Sequence, residues 1–495
     1  MGYVELLRLA APEAILLVTA LGVLAADLFA LRDLDLPMRR IICALIGIAG
    51  CGAAMAWLLV MPGDASVQQG IFIVDLFTKL VQAALLVLVI LAILLSMEAG
   101  FSEHCGEYIA TLLFVALGLL FLSSTEDLLM IFAALELTSL SLYVLTAFSK
   151  GSAASAEAAL KYFLFGGMTA ACTLFGFSLL YGISGSTNLA GIGAALKSGG
   201  MSPFAMMAIV MTLAGLGFKV AAAPFHLWAP DTYEAAPAPS AALIASGSKV
   251  AGFVVLAKVL VVGFAGVAGA AGWGRFIQGW APVVAAIAIV SMVVGNFAAI
   301  VQTSVRRLLA YSAVAHSGYV LVGLLAHSGQ SVAAMSYYVI TYALTLIGAF
   351  GVVAIVREAN GGDSLRDFAG LSKRSPLVAF SMLIFILSLA GIPPLPGFFG
   401  KFFVFTAALN GNAANYALLW LVLTALALSA VSLYYYLKVL KHIYVSPAEA
   451  QTERGPRQVL TEILVAVIAA AVLFLGCLPG VLLDPLLRAI QAAGL

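Results

Sequence analysis

Four ionisable side chains stand inside long apolar stretches of this sequence, where proton transfer is the first chemistry to consider. Lys219, Lys249 and Lys401 lie well within hydrophobic segments, and Glu136 follows the unbroken apolar run 128–135. At 1.5 Å per helical residue, Glu136 would be about 13 Å deep in a helix. Ionised groups at such depth are tolerated mainly where they pair, become neutral or line a wet path. The pattern favours a path for protons over a purely structural role, although helix hydroxyls such as that of Ser139 could also satisfy Glu136.

The composition identifies the solvent around these residues. Hydrophobic residues make up 63% of the chain, charged residues only 9%, and the mean hydropathy is +1.11. Soluble domains carry about 25% charged residues. The chain is therefore expected to be an integral membrane protein, and its net charge of +1 gives no support for nucleic-acid binding.

Apolar runs near the ~20 residues that cross a bilayer as a helix occur throughout the chain. We predict an all-α polytopic fold with 14 membrane-spanning segments, the first of them a retained helix and not a cleaved signal. The segments are 8–30, 40–61, 73–97, 108–123, 127–148, 158–182, 203–236, 238–263, 280–302, 307–326, 331–356, 377–408, 415–440 and 460–480.

Prolines interrupt two of these segments beside the buried lysines. In the seventh, Pro224 follows Lys219 by five residues. In the twelfth, three prolines precede Lys401: Pro393, Pro394 and Pro396. Proline removes a backbone donor and clashes with the preceding turn. We therefore predict two helices broken at membrane depth, where irregular backbone must contact protein or water.

The spacing of the two breaks predicts an internal repeat. They are about 170 residues and five spans apart, and an odd number of crossings inverts the second copy, an arrangement typical of secondary transporters. The predicted organisation is 1–107 for helices 1–3, 108–263 for the first repeat, 279–442 for the inverted repeat and 458–495 for helix 14.

Loop charge predicts the orientation. Fourteen basic residues fall in odd-numbered loops: Arg32, Arg39, Arg40, Lys150, Arg306, Arg307, Arg357, Arg366, Lys373, Arg374, Lys438, Lys441, Arg454 and Arg457. Four fall in even loops or termini: Arg8, Lys197, Arg275 and Arg488. Short cytoplasmic loops carry the excess of Lys and Arg. The odd loops are therefore expected in the cytoplasm and both termini outside.

Each of the remaining lysines and histidines discussed within the predicted spans has two interpretations. Lys161, beside Glu157, is a candidate relay, but its side chain could equally extend to the membrane surface; for Lys258, near a helix end, the second interpretation is favoured. His226, in the first break, and His316 are candidate relays because imidazole titrates near neutrality. A structural role is the alternative for both. No pair of histidines suggests axial haem ligands.

The five cysteines form no CxxC pair, so neither a metal site nor a disulfide framework is predicted.

Three stretches resemble a known family. They are 218–231 (FKVAAAPFHLWAPD), 135–137 (LEL) and 310–319 (AYSAVAHSGY). These stretches are similar to signatures of the antiporter-like subunits shared by respiratory complex I and multisubunit cation/proton antiporters. The resemblance covers nearly the whole chain. It implies a Glu136–Lys219 pair, a central lysine at Lys249 and a terminal relay residue at Lys401.

Within that family the chain resembles the N-type branch. M-type subunits typically carry glutamate where Lys401 stands, and L-type subunits have a long lateral helix beyond the point where this chain stops. The stretch 136–145 is also N-type in character.

The resemblance implies a proton-translocating membrane subunit of NADH:quinone oxidoreductase in the bacterial cytoplasmic (inner) membrane. It implies no redox chemistry and no cofactor in this chain, with flavin, iron–sulfur clusters and quinone in partner subunits. The implied partners are the M-type neighbour, the small K- and J-type subunits, the L-type lateral helix and lipids. A subunit of a cation/proton antiporter without a redox partner is the alternative.

Overall fold

A computed structural model describes residues 8–61, 65–67, 70–410, 417–447 and 457–494. Eleven helices in these ranges are long and apolar enough to cross a membrane, which agrees with a polytopic membrane protein. Arg454, counted above among the loop cations, lies outside the described residues.

Helices account for most of the described chain. The first seven are α1 (Ala11–Ala25, continued by a π-helical turn, Ala26–Ala30), α2 (Leu36–Val60), α3 (Leu76–Ser96), α4 (Cys105–Ser123), α5 (Leu128–Thr146), α6 (Ala153–Ser184) and α7 (Leu189–Gly199). The next seven are α8 (Pro203–Lys219), α9 (Trp228–Ala235), α10 (Ala238–Ala245), α11 (Gly247–Lys258, continued by a π-helical turn, Val259–Gly263), α12 (Trp280–Ile300), α13 (Val305–Leu324) and α14 (Gly329–Asn360). The last six are α15 (Leu371–Arg374), α16 (Pro376–Ala390), α17 (Pro396–Asn410), α18 (Leu419–Tyr444), α19 (Val459–Cys477) and α20 (Gly480–Ala493).

Two short antiparallel hairpins lie between helices and were not predicted. The first pairs β1 (Ala65–Val67) with β2 (Phe72–Val74), and the second pairs β3 (Ala270–Gly272) with β4 (Arg275–Ile277). The second turns at Trp273–Gly274, where Gly274 has φ +73°. Strands this short leave little trace in a hydropathy pattern.

The helix boundaries follow local sequence signals. Asp75, Asp127 and Ser304 each accept a backbone N–H with the side chain at the start of a helix, which satisfies donors that the first turn leaves open. Gly185 and Gly361 end the two 32-residue helices in the left-handed conformation that glycine adopts without strain.

The chain forms two compact units. The first consists of Met1–Leu216, Ala235–Val267 and Ala489–Leu495, and the second of Gly217–Glu234 and Ala268–Arg488. In the first unit, α4 packs against α1, α2, α3, α5 and α11. In the second, α14 packs against α13, α16, α17 and α19, while α12 packs along α13.

The two long spans predicted at 203–236 and 377–408 each contain two helices. The first contains α8 and α9, and the second contains α16 and α17. Pro224 lies in the segment between the first two, and Pro393 and Pro394 lie in the segment between the second two, whereas Pro396 is the first residue of α17.

Candidate functional site

The backbone between α8 and α9 is non-helical and fully buried at its start. Ala221 adopts a left-handed φ of +54°. The Ser317 hydroxyl of α13 donates to the Val220 carbonyl oxygen at 2.6 Å, and the Ala223 N–H donates to the Ser291 hydroxyl of α12 at 2.8 Å. Hydroxyls of neighbouring helices thus replace the helical bonds that the break removes. This substitution makes irregular backbone tolerable away from water.

Lys219 is the last residue of α8 and is only 2% exposed. Around it, the Ala222 N–H donates to the Gly217 carbonyl oxygen at 2.8 Å, and the Trp228 indole donates to the Phe218 carbonyl oxygen at 3.2 Å. A helix C-terminus carries partial negative charge, which stabilises a cation there. His226 lies in the same interhelical segment, buried, with its ring 6.4 Å from that of Tyr311.

The second break has a lysine in direct contact with the helix that ends there. The Lys401 ammonium donates to the carbonyl oxygens of Leu389 at 3.3 Å and Ala390 at 3.0 Å, and to the Ser429 hydroxyl at 2.8 Å. It also lies 5.2 Å from the centre of the Tyr319 ring. Lys401 is 6% exposed, so these groups replace its hydration shell. Oxygen atoms and a π face are the partners a buried ammonium requires.

Gly391 makes this contact sterically feasible. It ends α16 with φ +84°, and a Cβ there would lie 3.1 Å from the Lys401 Nζ atom. A side chain at this position would be strained and would crowd the ammonium.

Lys249 belongs to the first unit and stands in the first turn of α11, 3% exposed. The helix is interrupted just before it, at Ser246, whose hydroxyl donates to the Ala242 carbonyl oxygen at 2.6 Å. Such back-bonding bends helices. The positive end of the helix dipole disfavours a charged amine in a first turn. This interruption was not predicted, although the Ser246-Gly247-Ser248 triplet is a signal for it.

Glu136 also belongs to the first unit and is half-buried on α5. Ser139, one turn further along, donates its hydroxyl to the Leu135 carbonyl oxygen at 2.7 Å. Among the predicted residues, the first unit therefore contains Glu136, Lys161 and Lys249, and the second contains Lys219, His226, His316 and Lys401. The second unit thus contains the lysine at each of the two breaks, Lys219 and Lys401.

Two further lysines have local partners. Lys161 forms an i,i+4 ion pair with Glu157 at 2.8 Å on the exposed face of α6. Lys258 is only 2% exposed, and its ammonium donates to the Ser123 carbonyl oxygen at 2.8 Å. The expectation that Lys258 extends to the membrane surface is therefore wrong: a backbone acceptor at the end of α4 receives it inside the protein.

The first span contains two buried carboxyl groups, Glu13 and Asp27, that are not among the predicted residues. Glu13 accepts a hydrogen bond from the Gln82 amide at 3.0 Å, and both side chains are buried. Asp27 pairs with Arg39 at 2.8 Å and accepts the Gly106 N–H at 3.2 Å. An acidic residue inside an apolar run is itself the signal.

Five charged side chains connect α9 to the start of α13 in the second unit. Arg307 pairs with Asp231 at 2.7 Å and Glu234 at 2.8 Å. The neighbouring Arg306 is 1% exposed, pairs with Asp363 at 3.1 Å and donates to the Glu234 carbonyl oxygen at 2.9 Å. Consecutive arginines thus fix the short helix after the break to α13 and to the segment that follows α14.

A polytopic helical membrane fold with a buried lysine at each of two broken helices defines a class, the antiporter-like membrane subunits. Comparisons with known proteins agree. The family described as NADH:quinone oxidoreductase/Mrp antiporter, TM, matches residues 125–428. A protein named NADH-quinone oxidoreductase subunit N 2, from Acidobacterium capsulatum, is 50% identical over 97% of this chain and 98% of its own length.

Two solved structures share the fold. A chain of respiratory complex I from Thermus thermophilus with bound aureothin has a TM-score of 0.78 at 32% identity, covering 96% of this chain and 98% of that chain. A chain of the Mrp complex from Dietzia sp. DQ12-45-1b has a TM-score of 0.80 at 20% identity, covering 98% and 97%; this likeness is one of fold alone. The chain belongs to the NADH-quinone oxidoreductase subunit N family, the antiporter-like membrane subunits of complex I.

Proposed function

We propose that this chain translocates protons through a buried Glu–Lys pair and a lysine relay, with no redox chemistry of its own. One observation carries the proposal: each broken helix holds a buried lysine, Lys219 at the end of α8 and Lys401 against the end of α16. Charged side chains within a membrane fold cost free energy, and those that occur there mark proton or ion pathways in most cases, which supports a role in transport for these two lysines.

The proposed path runs from the cytoplasmic side through Lys219, paired with Glu136, to Lys249 and then outward through Lys401. A lysine relays a proton only if its neutral amine is populated, which burial favours. Two ammonium groups at ~7–8 Å and an effective dielectric near 20 repel by roughly 2 kcal/mol. Protonation of one lysine therefore favours release from the next, and water must fill the gaps between them.

Two histidines are proposed as additional relay groups, His226 in the first break and His316 on α13. The surface ion pair of Lys161 with Glu157 supports a structural role for that lysine. His316 is 2% exposed and has a hydroxyl at each ring nitrogen, which supports a role in proton exchange.

The proposed architecture has 14 crossings, with inverted repeats over 108–263 and 279–442, flanked by 1–107 and 458–495. The eleven long apolar helices support eleven of the crossings. Helix α13 and the α8–α9 and α16–α17 pairs would supply the other three. Loop charge supports periplasmic termini in a bacterial inner membrane.

We infer that the chain works within complex I, beside the M-type subunit, the small K- and J-type subunits, the lateral helix of the L-type subunit and lipids. Flavin, iron–sulfur clusters and quinone would belong to partner subunits. The relative at 50% identity favours this assignment over a cation/proton antiporter, for which the likeness is one of fold at 20% identity.

The test is proton pumping by the purified, reconstituted complex carrying Lys249→Arg. Arginine keeps the charge but cannot release its proton at working pH. The expected result is normal assembly, shown by copurifying flavin and iron–sulfur subunits, with fewer protons moved per NADH oxidised. Lys249→Ala should also interrupt the relay. A Lys249→Arg complex that pumps at the wild-type ratio would show that deprotonation at this position is not required.

A further inference from the structure

Four buried polar side chains form one hydrogen-bonded chain in the second unit. The His316 Nδ1 atom is 2.9 Å from the Tyr338 hydroxyl of α14, and its Nε2 atom is 3.0 Å from the Tyr436 hydroxyl of α18. The Tyr436 hydroxyl in turn bonds to the Ser312 hydroxyl, one turn before His316 on α13. All four residues are at most 2% exposed.

Every link of this chain can run in either direction. A tyrosine or serine hydroxyl both donates and accepts, and a neutral imidazole donates from one nitrogen and accepts at the other. In one arrangement Tyr338 donates to Nδ1, Nε2–H donates to Tyr436, and Tyr436 donates to Ser312. In the reverse arrangement Ser312 donates to Tyr436, Tyr436 to Nε2, and Nδ1–H to Tyr338. The two arrangements differ only in proton positions.

A neighbouring network lacks this property. Asn296 donates its amide N–H to the Tyr319 oxygen at 2.9 Å and to the Met292 carbonyl oxygen at 2.8 Å, and its Oδ1 atom accepts from Tyr435 at 3.1 Å. An amide nitrogen is not an acceptor, so the direction of these bonds is fixed. This network orients Tyr319, whose ring faces Lys401. Of these two networks, the His316 chain is the one whose hydrogen bonds can all reverse direction.

We propose that Tyr338, His316, Tyr436 and Ser312 form a proton relay that crosses from α14 to α18 and α13 by tautomer exchange of His316. The proposal rests on the proton translocation proposed above and deepens it by naming the two tyrosines and the serine. As a proton reaches the Tyr338 oxygen, the hydroxyl proton of Tyr338 moves to Nδ1. The Nε2 proton passes to the Tyr436 oxygen, and the Tyr436 proton passes to Ser312, which releases one onward.

One proton enters and one leaves, so the chain ends with unchanged charge and reversed hydrogen bonds. The first arrangement returns before the next proton when the hydroxyls rotate and His316 loses the Nδ1 proton and gains one at Nε2, since turning the ring alone does not change its tautomer. The relay therefore carries one proton per reset.

The test compares Tyr338→Phe and Tyr436→Phe with Tyr337→Phe in the reconstituted complex. Tyr337 is the adjacent residue on α14, equally buried, but its hydroxyl donates to the Leu475 backbone carbonyl oxygen at 3.2 Å and has no place in the relay. We expect the two relay variants to lose as many protons per NADH as Lys249→Arg does, whereas Tyr337→Phe keeps the wild-type ratio.

One result would overturn the relay alone, and a different result would overturn the proposed function on which the relay rests. If both relay variants pump at the wild-type ratio while Lys249→Arg does not, translocation stands and this relay is wrong. If Lys249→Arg also pumps normally, the proposed function fails first.

A second measurement does not depend on the tyrosine variants folding. Nitrogen-15 magnetic resonance of histidine-labelled complex, assigned with His316→Gln, should show both neutral tautomers of His316 in exchange. A single fixed tautomer would exclude the relay even if the tyrosine variants pump poorly.

Discussion

The Lys401 ammonium donates a hydrogen bond to the Ala390 carbonyl oxygen at 3.0 Å, and so occupies the C-terminal end of the helix that stops at the second break. The same side chain is proposed to carry protons and also satisfies backbone acceptors at membrane depth. These two roles can be separated by experiment.

Replacing Lys401 with Ala removes the donor from two buried carbonyl oxygens. Each buried acceptor left without a partner costs about 1–3 kcal/mol, so the melting temperature of the complex in detergent should fall. Lys401→Arg keeps N–H donors at the site and should retain more of the stability, yet it should still reduce protons moved per NADH because the guanidinium does not deprotonate. Normal pumping by the Arg variant would mean that Lys401 acts only as a cap.

The proposed pairing of Glu136 with Lys219 predicts non-additive effects. Lys219→Ala should reduce pumping in a complex that still assembles, since it removes the cation proposed to pair with the Glu136 carboxylate. The Glu136→Gln, Lys219→Ala double variant should be less damaging than the sum of the single changes, measured as the logarithm of the pumping rate. Additive losses would show that the two residues act independently.

The predicted orientation can be read by labelling with a membrane-impermeant maleimide in intact cells. Lys373 and Arg488 are both exposed, so a cysteine at either position is reachable from its own side. In a background with the exposed Cys477 replaced by Ser, Arg488→Cys should be labelled and Lys373→Cys should be labelled only after lysis. The opposite pattern would invert the proton path.

Glu126, between α4 and α5, predicts a pH-dependent stability. Burial raises the pKa of its carboxyl above 4.5; the nearby Lys258 ammonium opposes the rise and Asp75 adds to it. An acid whose pKa is raised by folding stabilises the protein below its unfolded pKa, and this stability is lost as pH rises through the folded pKa. Glu126→Gln mimics the protonated acid, so its melting temperature should match the wild type near pH 4 and exceed it at pH 7. A difference that stays constant over this range would exclude the effect.

Hydropathy and the proline positions predicted that Lys219, Lys249 and Lys401 are buried and that two helices are broken, because both signals act locally in the chain. They did not predict the acceptors of Lys401, since Ser429 lies 28 residues away on another helix. For the same reason Lys258 was expected at the membrane surface, whereas the acceptor at Ser123 is 135 residues distant in sequence. Depth in a membrane can be counted along a helix, but the face that a residue presents is set by packing.

The hydroxyls of Ser317 and Ser291 at the first break have a mechanical consequence. Ser317 binds the Val220 carbonyl oxygen and Ser291 binds the Ala223 N–H, each through one side-chain hydrogen bond in place of a backbone hydrogen bond within a helix. A serine hydroxyl rotates about a single bond and can both donate and accept a hydrogen bond. Replacement of either serine by alanine would therefore leave one buried backbone group without its partner, and would remove no backbone hydrogen bond within a helix. Two serine side chains from neighbouring helices therefore hold the backbone of the first break in its non-helical path.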